Sequence, residues 1–170
     1  MFGEMNPMRS QRPVSSKKLL NKSLINLGEL VDFQLSGNES GLVQRIHGLR
    51  NKPLGDFRPD EMRLCVLQGI GLMHLVPRAL EILSRDPWIE TEYYPGDLLH
   101  ACIGVESSFW GDRPAEKDQM RSVLMAASAA AQPDRQDIGR QQRRDLQDGQ
   151  RKFNVDTEPA TPSDGDKSAN

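Results

Sequence analysis

Apolar residues recur at helical spacing from Leu19 to Leu124 and then almost stop. Leu19, Leu20, Leu24, Leu27, Leu30 and Val31 predict a helix opening at Ser16. It is weakened at Gly28, since a glycine costs a helix interior about 1 kcal/mol. After the turn Ser36-Gly37-Asn38, Ser40 is placed to cap a helix with Leu42, Val43, Ile46 and Leu49 on one face. A connector at 52–56 leads to Pro59, a good first helical residue because proline lacks the donor that this position leaves unused. Asp60 and Glu61 then suit the positive helix end, and Met62, Cys65, Val66 and Ile70 form the apolar stripe.

Gly69 and Gly71 bracket Ile70, which implies a helix end or close backbone packing. Leu72, Leu75, Val76, Ala79, Leu80, Ile82 and Leu83 follow at helical spacing. Pro77 falls within that run, so the regular helix should begin at Val76 or Pro77, or bend there. Asp86-Pro87 stops it. An aromatic, acidic connector, W-I-E-T-E-Y-Y at 88–94, precedes Pro95-Gly96-Asp97. Asp97 is expected to cap a short helix that turns Leu98, Leu99, Cys102 and Ile103 inward. A turn at Ser107 or Ser108 with Phe109 and Trp110 leads to the last helix expected, Arg113 to Ala131, with Met120, Val123, Leu124 and Ala127 inward.

No stretch alternates β-branched with polar residues over a useful length, so the fold class is all-α. The pattern predicts a single-domain bundle of about five to six short helices. Residues 1–16 read as a disordered arm and 17–131 as the helical domain. Residues 132–170 read as a polar, disordered tail whose charges could support a transient helix without an apolar face.

Charge sharpens this picture. Residues 25–124 hold fifteen Asp and Glu against ten Lys and Arg. That sign disfavours direct nucleic-acid contact, which needs cations on the folded part, and a membrane surface equally. No apolar run reaches the length of a signal core or a membrane span, which places the chain in the cytoplasm. Cys65 and Cys102 lack metal or redox spacing and occupy core-like positions. With His47, His74 and His100 they match no zinc motif, so no metal and no cofactor are expected.

Asp97 and His100 stand three residues apart on one predicted helix. They could be half of a general-base arrangement, or a cap and a surface pair; no nucleophile or phosphate loop accompanies them. The stretch Asp86 to Asp112 holds six carboxylates and no Lys or Arg. Glu90, Glu92, Tyr93, Tyr94 and Asp97 crowd within it, between Trp88 and Trp110. Tyrosine and tryptophan favour interfaces, and unneutralised carboxylates steer a basic partner. The competing reading is a solvated loop whose aromatics cover the core.

Several elements occur together in order: K-S-L at 22–24, L-R-N-K-P-L at 49–54, Q-G-I-G-L at 68–72, L-V-P-R-A-L-E-I-L at 75–83, D-P at 86–87, Y-P-G-D-L-L at 94–99 and F-W at 109–110. In this the chain resembles the contact-dependent growth inhibition (CDI) immunity proteins of Gram-negative bacteria. The resemblance implies an α-helical, non-enzymatic, cytoplasmic protein that binds the C-terminal toxin domain of a cognate effector, as a 1:1 heterodimer, and blocks it. Many such toxins are nucleases, whose clefts are cationic. It departs from the family at Arg58, where a capping Thr is usual, and in the polar tail. Shared motif residues such as Gly69, Gly71, Pro77, Pro95 and Gly96 then read as scaffold. Toxin contacts are expected at Glu90, Glu92, Tyr93, Tyr94, Asp97, Glu106 and Asp112. The rival reading is a small helical DNA-binding regulator with Pro59–Leu83 as a helix-turn-helix, which needs a basic recognition helix.

Overall fold

A computed structural model describes residues 16–30, 34–131 and 136–155; the stretches 1–15, 31–33 (with Val31), 132–135 and 156–170 lie outside the described residues. Among the described residues the chain forms eight α-helices and no strand. They are α1 (Ser16–Leu20), α2 (Gly41–Leu49), α3 (Pro59–Leu67), α4 (Leu72–Leu83), α5 (Asp97–Gly104), α6 (Ser107–Gly111), α7 (Pro114–Ala130) and α8 (Arg140–Phe153). The class is all-α as expected, with more helices than the apolar pattern suggested. None of the described helices is long and apolar enough to cross a membrane.

The helix expected from Ser16 through Val31 ends at Leu20. Ser23 and Asn26 explain the stop. The Ser23 hydroxyl donates to Asn26 Oδ1 at 3.0 Å, and its oxygen accepts the Asn26 amide at 3.3 Å. Such local side-chain bonds offer the backbone an alternative to helix. The segment instead lies antiparallel to 50–54, with Ile25 N–H donating to Arg50 O at 3.2 Å and Leu54 N–H to Lys22 O at 2.9 Å. This seats Leu24 in the core with no exposed surface.

The capping signals at α2 and α3 act as expected. Ser40 accepts the Val43 amide at 3.4 Å. At α3 the Glu61 carboxylate accepts the Arg58 amide at 2.8 Å. Arginine has no acceptor to return that bond, so Arg58 supplies only half of the reciprocal cap a threonine would make. Gly69 and Gly71, at φ 70° and 63°, break the chain between α3 and α4. Helix α4 starts at Leu72 and runs through Pro77, so of the two expected alternatives the one that begins the helix at Val76 or Pro77 falls. Leu75, Val76, Ala79, Leu80 and Leu83 are buried on both sides of the proline, and this packing offsets the donor lost there.

Helix α3 lies at the centre, packed on both α4 and α5, while α7 packs on α4. Two thiols fill this interior, Cys65 on α3 and Cys102 on α5, both free. Burial pushes each up to about 12, so they behave as small hydrophobes. At α5 the cap is Gly96, with φ 84°, and Asp97 is the first helical residue. Gly96 is required twice over: its φ disfavours side chains, and a Cβ there would stand 2.7 Å from Trp88 Cε3. Trp88 is itself buried, and its indole N–H donates to Ala127 O on α7 at 2.9 Å.

The main correction concerns residues after Ala131. Helix α8 lies inside the expected polar tail, yet it packs on α5 and α7 and buries Leu146, Gly149, Gln150 and Phe153. Four residues suffice because one is a glycine. A Cβ on Gly149 would meet Ile103 Cδ1 at 2.8 Å and Leu124 Cδ2 at 3.0 Å, so the backbone itself lies against the core. Phe153 closes the end edge-on to Trp110, with ring centroids 5.0 Å apart. Lys152 donates to Ile103 O and Val105 O at 2.7 and 2.5 Å, capping the last turn of α5. Phe153→Ala should therefore destabilise the fold by about 3–5 kcal/mol in urea unfolding, as for a large core aromatic. A loss below about 1 kcal/mol would show that α8 is not part of the cooperative core.

Candidate protein-binding loop

Residues 86–97 join α4 to α5 and carry most of the residues expected to face a partner. The segment is short of regular structure but not of bonds. Asp86 Oδ1 accepts the Trp88 amide at 3.0 Å. The Gly96 amide returns to Ile89 O at 3.1 Å, closing a turn over Glu90 and Pro95.

Asp97 organises this turn. Its carboxylate accepts the Thr91 amide at 3.1 Å and the Thr91 hydroxyl at 2.8 Å through Oδ1. Through Oδ2 it accepts the amides of Glu92 at 3.0 Å and Tyr93 at 3.1 Å. Four donors converge on a side chain with no exposure. Asp97 is therefore neither the cap it was expected to be nor a surface carboxylate; it shapes the loop from below. His100 does not pair with it either. Its Nδ1 lies 3.0 Å from Asp145 of α8, which removes the proposed Asp97–His100 couple. His74 likewise pairs elsewhere, with the partly exposed Glu29 at 3.3 Å.

Glu92 is also partnered. Arg45 of α2 grips it through two hydrogen bonds, 3.1 and 3.2 Å, and Arg63 of α3 donates at 2.6 Å. The bond from Arg45, then that from Arg63, holds the Glu92 carboxyl below its ordinary value. The cation-free stretch in sequence is thus not cation-free in space. Arg63 lies within the apolar arc of α3, between buried Met62 and Leu64, where an arginine requires a buried acceptor. The apolar spacing did not single out that burial, and its partner lies 29 residues away.

Consecutive tyrosines diverge. Tyr93 is 60% exposed and lies over the Arg63 guanidinium, whose carbon is 4.5 Å from the ring centroid. Tyr94 is half-buried and lines a small pocket with Trp88, His100, Asp145 and Leu146; burial raises its phenol. Glu90 is exposed beside them. Glu106 and Asp112 are exposed as well, but they flank α6, a separate element packed on α7. The loop thus gathers Glu90, Glu92, Tyr93, Tyr94 and Asp97, and exposes Glu90, Glu92 and Tyr93, of which Glu92 is already paired with two arginines. On the α3–α4 pair, Arg63 is buried and Arg78 is half-buried, donating weakly to Gly55 O at 3.4 Å. Neither belongs to an exposed basic recognition face.

No curated protein and no solved structure matches this chain. A family model described as CDI immunity proteins matches residues 29–120. The matched stretch takes in α2 to α6, the whole 86–97 loop and the two arginines that anchor it; α8 lies beyond it. Because that match spans more than half of the 170 residues, the chain belongs to the CDI immunity proteins and is an immunity protein for a CDI toxin.

Proposed function

We propose that this immunity protein binds the C-terminal toxin domain of its cognate effector through the 86–97 loop, as a 1:1 complex in the cytoplasm of the producing cell. It acts by occlusion and not by catalysis. One observation carries the choice of surface: an exposed tyrosine lies over a buried guanidinium, at the tip of a loop bonded from beneath. An aromatic already held in place loses little conformational freedom on binding, which is what an interface anchor requires. Glu90 beside it supplies the negative charge. Asp86 before it and Glu106 and Asp112 after it are exposed as well.

The favoured toxin chemistry is a nuclease. A nuclease cleft must be cationic to hold phosphates, and exposed carboxylates can take the places of those phosphates. Glu92 contributes less to this field than a charge count suggests, because Arg45 and Arg63 offset it.

Co-expression with the toxin domain encoded upstream should protect cells, and the pair should co-purify at one to one. Absence of both binding and protection would refute the reading. Within the complex, Tyr93→Ala should weaken binding about thirtyfold, the scale of an interface hot spot of about 2 kcal/mol. Glu90→Lys should slow association several-fold at low salt, with the difference shrinking above about 0.5 M as screening sets in. Unchanged kinetics for both variants would place the interface elsewhere.

A further inference from the structure

We propose that Arg63 is the positioning residue of the binding loop: a buried guanidinium on α3 that holds Glu92 and Tyr93 in their binding geometry without touching the toxin. The inference rests on the reading that the 86–97 loop meets the toxin.

Arg63 is 7% exposed, among the buried Met62, Leu64, Cys65 and Val66 of the central helix. Placing a cation there is costly, and apolar residues of similar volume often replace buried ion pairs without loss of stability. The apolar neighbours on α3 therefore give no reason for an arginine at this position. The loop gives three. The guanidinium donates to Glu92 Oε2 at 2.6 Å, underlies the Tyr93 ring at 4.5 Å, and brings Nε within 3.6 Å of Asp97 Oδ2. That last approach is electrostatic only, since Nε has no hydrogen-bond partner. The buried nitrogen is left unsatisfied while the fork is aimed outward at Glu92 and Tyr93.

Arg45 also holds Glu92, but from a side chain that is 44% exposed, where an ion pair contributes little and is screened by salt. Arg63 is the fixed point. Its planar fork meets a carboxylate and an aromatic face at once, which a lysine cannot reproduce. Removing the charge altogether would leave Asp97 without its nearest cation, so the informative substitution keeps the charge and removes the plane.

Arg63→Lys should leave the urea midpoint close to wild type. The purified toxin domain should dissociate about tenfold faster from it, and the amides of Glu92 and Tyr93 should exchange faster with solvent. In a Tyr93→Ala background the same substitution should speed dissociation by clearly less than tenfold, because the part of its effect that runs through the ring is already lost and only the Glu92 contact remains. A residue that served only the core would lower the urea midpoint and add its full effect in both backgrounds. Glu92→Gln tests the same contact without touching α3, and should also speed dissociation. If Arg63→Lys unfolds the chain, Glu92→Gln decides. Wild-type dissociation in Glu92→Gln and in any folded Arg63→Lys protein overturns the inference, as does additivity with Tyr93→Ala. If Tyr93→Ala itself binds as wild type, it is the location of the interface that fails.

Discussion

A carboxylate withdrawn from water must be met by donors, and Asp97 is withdrawn completely. That requirement orders everything around it. The chain from Thr91 to Tyr93 turns back so that three backbone amides and one hydroxyl reach a single side chain. Gly96 must lack a side chain so that the helix behind Asp97 can begin against Trp88. Trp88 in turn ties the loop to α7 through its indole. The loop is therefore an extension of the core, although no regular element runs through it.

Much of the helical frame was legible because local chemistry and tertiary packing agree. Ser40, Pro59 with Glu61, and the glycine pair around Ile70 mark boundaries through the conformations they favour, and the structure places boundaries there. Where the two levels disagree, the pattern misleads. Leu24, Leu27 and Leu30 keep helical spacing, but Ser23 and Asn26 bond to each other and the chain turns. Helix α8 went unrecognised for the opposite reason. Its buried stripe depends on Gly149 and Gln150, neither of which counts as apolar, and on a groove formed by Ile103 and Leu124 that no local window contains.

The 86–97 loop was legible in composition and not in the roles of its residues. Its acids and aromatics were evident, but their division of labour was not. Asp97 and Glu92 look alike along the chain, yet one is wrapped by amides and the other is gripped by two arginines from distant helices. Charge along a sequence reports what the backbone carries; charge at a surface depends on what the fold brings beneath it. Only the second determines what a partner meets.

Three of the four donors that define the loop belong to the main chain, and every residue except proline supplies such a donor. The shape of the tip is thus largely independent of the side chains displayed on it. Positions 90 and 93 can change in charge and size while the curve beneath them persists. Under the proposed function, toxin specificity could then be revised one residue at a time while the fold persists.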